Sequence, residues 1–168
     1  ALVAICFCCL FASFFSPNQA QAMDPSVVAH DLAARNKTWA NGFTAVYKEL
    51  RKNLRPADGK VHYLHAHPSP KFNGIYLWDS AFISLIWNKW DPSIAKQIIK
   101  SVLQFQRADG RVAHVVSFQG ISEWTQPAVL AWAANQIAQS GRDFAFAREV
   151  YPRLRSANEW LFRSRRLK

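Results

Sequence analysis

The chain has 168 residues, half of them hydrophobic and 14% aromatic, and a formal charge of +10. That length fits one domain and that apolar content supports a packed core, which excludes a disordered tail. The charge does not point to nucleic acid: it is spread along the chain, and its one dense cluster (Arg163, Arg165, Arg166 and Lys168) reads as a solvated helix end.

No charged residue precedes Asp24. Ala1 to Phe15 is apolar, Ser16-Pro17-Asn18-Gln19 breaks the run, and Ala20-Gln21-Ala22 places small residues where a signal peptidase reads them. Residues 1–22 are therefore expected to be a cleaved signal peptide. The run is shorter than the roughly 20 apolar residues of a spanning helix. Export to the periplasm or the medium, with no stable membrane anchor after cleavage, is the expectation. Cys6, Cys8 and Cys9 are all the cysteines of the chain. Residues 23–168 therefore offer neither a disulfide nor a thiol nucleophile.

The rest reads as helices. Asp24-Pro25, Asp91-Pro92 and Gln126-Pro127 each put a proline where the first helical turn needs no N–H donor, and Asp is a favoured N-cap. The first helix is predicted from about Pro25 to Asn53, with Leu32, Trp39, Phe43, Val46, Tyr47 and Leu50 on its apolar side. A second starts near Trp78 and carries Phe82, Leu85 and Ile86 before Asn88. The third, Pro92 to about Gln106, repeats Ile94, Ala95, Ile98, Ile99, Val102 and Leu103 at helical spacing. A fourth follows Pro127, with Leu130, Ala133, Ala134 and Ile137 on one stripe and Gly141 as its stop. The last begins after Asp143, and Pro152 is expected to kink or restart it.

Two connections stand out. About 24 residues separate the first and second helices and about 19 the third and fourth, and loops that long are uncommon in compact domains unless they have a function. Val61–His65 in one and Arg111–Val116 in the other have the composition of short strands.

Chemistry concentrates in Pro70-Lys71-Phe72-Asn73-Gly74-Ile75-Tyr76-Leu77-Trp78-Asp79-Ser80. Aromatic rings alternate there with polar groups, and a carboxylate stands beside an indole. Sugars ask for that combination, because their C–H faces stack on rings while their hydroxyls need fixed acceptors. The residues alone leave a second reading open, in which Phe72, Tyr76 and Trp78 are core and Asp79 caps a helix. Ser122-Glu123-Trp124-Thr125-Gln126-Pro127 is the other candidate: the Gln126 amide can donate to and accept from hydroxyls, or the segment is a plain helix start.

The first segment resembles the signature of trehalases through Lys71, Phe72, Tyr76, Trp78 and Asp79. It is closer still to the mannosylglycerate hydrolase and processing α-glucosidase group, which carries a Trp-Asp-Ser-type helix start. Later pieces match in order. Ala108-Asp109-Gly110-Arg111-Val112-Ala113-His114 resembles the group's Gly-containing loop, and Thr125-Gln126-Pro127-Ala128 its Ser-Gln-Pro-Pro. Tyr151-Pro152 with Trp160-Leu161 resembles its next helix. The resemblance runs roughly from Phe43 to Arg166.

It implies an all-α fold, a partial (α/α)6 toroid with short strands in long loops, in which residues 23–168 form the N-terminal part of a catalytic domain. It implies that Phe72, Tyr76, Trp78, Asp79 and Gln126 line the subsite for the non-reducing sugar, with Lys71 and Trp124 as further candidates. The group hydrolyses with inversion, using a general acid and a general base. Both are expected beyond Lys168, so this segment alone is expected to be silent towards an α-linked gluco- or manno-configured substrate. A neutral saccharide or glycoside is the implied partner, with no cofactor and no metal. Lys71 replaces the trehalase Arg and Gly74 stands where trehalases have Glu, which argues against trehalose itself.

Other classes leave traces as well. A polysaccharide lyase on a similar toroid would draw on Arg111 and His114 to handle an anionic substrate, and a non-catalytic helical carbohydrate-binding module would need only the aromatic segment. His62, His65 and His67, with His114, form the one histidine grouping that invites a metal, yet no acidic residue or cysteine adjoins them in sequence.

Overall fold

The computed structural model describes residues 22–165. The expected signal peptide, save Ala22, lies outside the described residues, as do Arg166 and Lys168. Among the described residues, six helices and five short strands follow one another: α1 (Pro25–Arg35), α2 (Lys37–Lys52), β1 (Leu54–Arg55), β2 (His65–Ala66), β3 (Gly74–Tyr76), α3 (Leu77–Trp90), α4 (Pro92–Gln104), β4 (Val115–Ser117), β5 (Gly120–Ile121), α5 (Val129–Ser140) and α6 (Phe144–Ser164).

The short connections behave as their residues dictate. Asp24 and Asp91 cap α1 and α4 by accepting from backbone N–H groups two or three residues on, each with proline opening the helix. Asp143 caps α6 through the Phe146 N–H, 2.9 Å away. Where the sequence suggested one helix from Pro25 to Asn53, there are two. Asn36 is extended, and its side chain accepts from Thr38 and Trp39, starting α2 afresh. α3 runs two residues past Asn88, to Trp90. α5 does not open at Pro127 but at Val129, without a side-chain cap. α6 passes through Pro152 without ending. Arg148, whose carbonyl the proline leaves without its helical donor, is exposed, so water can meet it.

Helices α3 and α4 form one antiparallel hairpin, α5 and α6 another, and α3 lies against both α4 and α5. Small residues make that possible: Ser80, Ala81 and Ser84 of α3 and Ala133 and Ala134 of α5 are wholly or almost wholly buried. Ile98, Ile99 and Leu103 of α4, with Ile137, Phe146 and Val150 of the second hairpin, fill the space around them. Lys96 to Asp143 (2.9 Å) and Lys100 to Glu149 (2.6 Å) tie α4 to α6 at the surface. α2 docks on α3 through aromatic edges, Tyr47 on Trp87 and Trp90 and Phe43 on Trp90. α1 buries no residue.

The long connections make two small sheets at the end of the hairpins where α3 and α5 begin. β1 pairs antiparallel with β2, and β3-β4-β5 form an antiparallel sheet that joins the two connections, Gly74 facing Ser117 and Tyr76 facing Val115. Loop 107–111 then folds onto α6. At Gly110, φ is +101° and a Cβ would come within 2.4 Å of the Ser156 carbonyl oxygen. Gly110→Ala should therefore destabilise the fold by about 2 kcal/mol or more, read as a lower urea midpoint at unchanged slope.

A pH effect is built into β2. Desolvation first, then the charges of His65 and Arg55, lower the His67 imidazole to about 4, and burial also lowers His65. A histidine held neutral in the fold leaves stability intact above the unfolded value, near 6.5. Below it the unfolded chain takes up the proton first, and stability falls until about pH 4. His67→Gln should flatten that fall in urea midpoints measured between pH 7 and pH 4.5.

Candidate functional site

The site begins with a turn. The Ser69 carbonyl accepts from Phe72 N–H (3.1 Å), its hydroxyl lies 3.3 Å from Lys71 N, and a bridge joins Ser69 to Phe72. The turn leaves Lys71 and Phe72 exposed at the rim. β3 then carries the chain under β4. Gly74 is fixed by that contact, because a Cβ would meet the Val116 carbonyl oxygen at 2.8 Å. A glutamate, as trehalases have, has no room in this packing.

Tyr76 is the last residue of β3 and the N-cap of α3, with no capping side chain of its own. Its ring takes Phe72 edge-on at 5.9 Å and His114 edge-on at 5.5 Å. The aromatic run is thus folded into a cluster at the helix start. Trp78 follows, 44% exposed in spite of its size. Asp79 is the third residue of α3. Among the described residues its carboxylate has no hydrogen bond and no ion pair, so the helix-cap reading of Asp79 does not hold.

The second segment arrives through backbone pairing. His114 N–H donates to the Trp124 carbonyl (2.8 Å) and Leu77 N–H to the His114 carbonyl (3.0 Å). The Gln126 Oε1 then accepts from Trp78 N–H at 2.9 Å, across 48 positions of sequence. Gln126 therefore caps α3 rather than its own helix, and its amide NH2 remains to donate elsewhere. Trp124, 75% exposed, stands on the same loop. The structure brings Phe72, Tyr76, Trp78, Asp79 and Gln126 to one end of α3. Lys71 and Trp124 sit at the edge.

Arg111 is the residue whose part the sequence did not disclose. Only 7% exposed, its guanidinium donates to the Glu123 carboxylate (2.7 Å) and to the Glu123 carbonyl oxygen. Arg107 adds a longer contact to the same carboxylate, 3.4 Å. Arg111 thereby clamps the loop that delivers Trp124 and Gln126. It is committed within the fold and not open to the carboxylate of an anionic polymer, which removes its part in the lyase reading. Spacing from Gly110 gave no signal of this; only the three-dimensional fold sets Glu123 across from it.

The other acids at this end are equally engaged. The Arg111 N–H, with the charges of Arg107 and Arg111, holds the Asp109 carboxyl below the usual range. Such a group does not keep the proton a general acid needs. His65 of β2 and His67, just after the strand, have ring centroids 5.4 Å apart, while His114 lies against Tyr76. No three metal-ligating side chains come together among the described residues.

Comparison with known proteins agrees with this architecture. The family model described as the mannosylglycerate hydrolase MGH1-like glycoside hydrolase domain matches residues 72–168. An uncharacterized conserved protein from Thermus thermophilus superposes with a TM-score of 0.56 at 27% identity, covering 71% of this chain and 33% of that one. The GH63 mannosylglycerate hydrolase of Thermus thermophilus, in complex with Tris and D-glycerate, gives 0.55 at 28% identity, covering 71% and 32%. Its complex with glucose gives 0.53 at 25%, covering 71% and 35%. The chain thus spans about a third of the length of these solved structures. Their fold makes the two hairpins part of a helical toroid. With more than half of its length matched by that model, the chain belongs to the MGH1-like glycoside hydrolase family.

Proposed function

We propose that the cluster at the start of α3 is the subsite for the non-reducing sugar of a glycoside hydrolase acting on α-linked gluco- or manno-configured saccharides or small glycosides. The observation that carries this is the bond from Trp78 N–H to Gln126 Oε1, which puts a ring, a free carboxylate and an amide donor on one helix end. A pyranose offers each its complement: a C–H face for Trp78, and hydroxyls for Asp79 and Gln126. The related GH63 enzyme has been crystallised with glucose, a ligand of matching chemistry.

Hydrolysis with inversion needs a protonated acid on one side of the anomeric carbon and a base with a water on the other. Asp109 and Glu123 are tied to arginines, and Asp79 is suited to accept hydroxyls. In this reading the acid and base come from beyond Lys168, as the family resemblance implies. The same reading has the protein exported, led by a signal peptide over residues 1–22.

Two measurements on the full-length enzyme test the assignment. Asp79→Asn should lower kcat/KM by about 10- to 100-fold, the loss of a hydrogen bond to a charged group, with the thermal midpoint nearly unchanged. A parallel loss of stability and activity would show Asp79 to be structural.

Gln126→Ala should weaken the α3 cap as well as binding, by about 1 kcal/mol of stability. Gln126→Glu keeps the acceptor for Trp78 and loses the amide donor, so it should weaken sugar binding while sparing the thermal midpoint. In a double-mutant cycle Asp79→Asn and Gln126→Glu should couple. Strict additivity would separate the two residues.

A further inference from the structure

On the other side of the β3-β4-β5 sheet lies a cleft of about 570 Å³, bounded by the loop after β1 and by the β4–β5 hairpin. That volume is in the range of small-molecule sites, roughly 300–1,000 Å³. Its lining does not include Tyr76, Trp78, Asp79 or Gln126. The cleft is a separate place on the molecule.

Its floor is polar and buried. His65 of β2 and His67, just after the strand, line it, 6% and 8% exposed. The Tyr63 carbonyl lies 3.2 Å from His65 Nδ1, leaving the other ring nitrogen free. The His67 ring has no hydrogen bond among the described residues. Buried polar groups as a rule find partners, and here the open side is the cleft. Burial keeps both imidazoles neutral at pH 7, so His65, whose Nδ1–H faces the Tyr63 carbonyl, can accept at Nε2, and His67 can donate from one nitrogen and accept at the other.

The walls are held in place. Gln104 accepts from His62 N–H (2.8 Å) and donates to the Lys60 carbonyl (2.6 Å), and Gln97 accepts from Leu64 N–H (3.1 Å). Two amides of α4 thus pin the loop that forms one side. The opposite side is apolar: Phe105 and Ile121 line it, and Phe118 stands at the hairpin tip, 83% exposed.

Arg55 and Asp58 are engaged by nearby backbone groups, while Lys60 keeps its ammonium exposed at the rim. Arg55 Nη1 donates to the carbonyls of Lys52 and Leu54, and Asp58 Oδ1 accepts from Lys60 and Val61 N–H. The floor itself is neutral, with Asp58 beside it and cations only in Arg55 and Lys60 among the lining residues, and two histidines without a third ligand do not make a metal site. What remains is a ligand with hydroxyls for the imidazoles and C–H faces for the rings. We infer that this cleft is a second carbohydrate site, taking a neutral mono- or disaccharide independently of the α3 subsite.

The test uses the full-length protein with Asp79→Ala to weaken the first subsite. Methyl α-D-mannopyranoside and methyl α-D-glucopyranoside are the probes, read by saturation-transfer NMR and titration calorimetry. At least one glycoside should still bind in the millimolar range. Phe118→Ala, at an exposed tip where folding is not at risk, should weaken that binding about fivefold or more, and His67→Phe should abolish it. With Asp79 intact, both variants should hydrolyse substrate within about twofold of the parent, as residues outside the reacting site do. Binding that vanishes with Asp79→Ala alone, or survives both cleft variants, overturns the second site. Tighter binding of D-gluconate than of either glycoside overturns its neutral class. Full hydrolysis by Asp79→Ala would count against the α3 subsite and leave the cleft to be judged on its own binding data.

Discussion

The first turn of any helix carries backbone N–H groups with no partner inside the helix. Tyr76, at the N-cap of α3, has no side-chain oxygen placed to accept them. The deficit is met from a connection more than thirty residues downstream: the His114 carbonyl accepts from Leu77 and the Gln126 amide oxygen from Trp78. Beside these bonds, β3 pairs with β4 along its length. A helix that could not cap itself thus recruits the loop, and the loop brings Trp124 and Gln126 with it. The candidate subsite follows from that shortage of hydrogen-bond acceptors.

Such an arrangement requires the helix starts to be held close and still. Small residues allow α3 to lie against α4 and α5 at once, and the loop in turn is fixed by Arg111 on Glu123 and by Gly110 on Ser156. On its remaining side α3 presents Trp78, Phe82 and Ile86, one per turn, with Trp132 of α5 packed edge-on to Phe82. An apolar stripe of this kind is normally covered. The helical toroid to which these hairpins belong offers such cover, since the solved relatives are about three times as long as the matched segment.

What the sequence disclosed divides along physical lines. Local signals were legible: the aspartate caps before Pro25 and Pro92, the periodicity of α4, the stop at Gly141. Each depends on residues within a turn or two of one another. The break at Asn36 was not, because the apolar spacing on both sides continues through it and only the extended backbone reveals the cap. Pro127 misled for the opposite reason: it looks like a helix opener, yet Gln126 before it is drawn to another helix. The Trp-Asp segment announced sugar chemistry through its composition, whereas Arg111 suggested only a lyase residue and His65 and His67 only a metal. Their significance lies in burial and in partners remote in sequence.

The same contrast bears on the carboxylates. Asp91 and Asp143 are held by backbone N–H groups at helix starts, and Asp109 by the Arg111 N–H and its arginine neighbours. Glu123 is held by two guanidinium groups. Each of these already serves a cap or a loop contact that folding supplies, so recruiting it for a substrate would compete with that contact. Asp79 differs. It lies in the first turn of α3, where the helix dipole favours its charge, but among the described residues nothing accepts or shares that charge. A half-buried carboxylate without a partner is unfavourable unless water or a ligand completes it. A sugar hydroxyl at that position would recover in binding what the fold leaves unsatisfied, which is why a carboxylate without a structural role is the stronger candidate for a functional one.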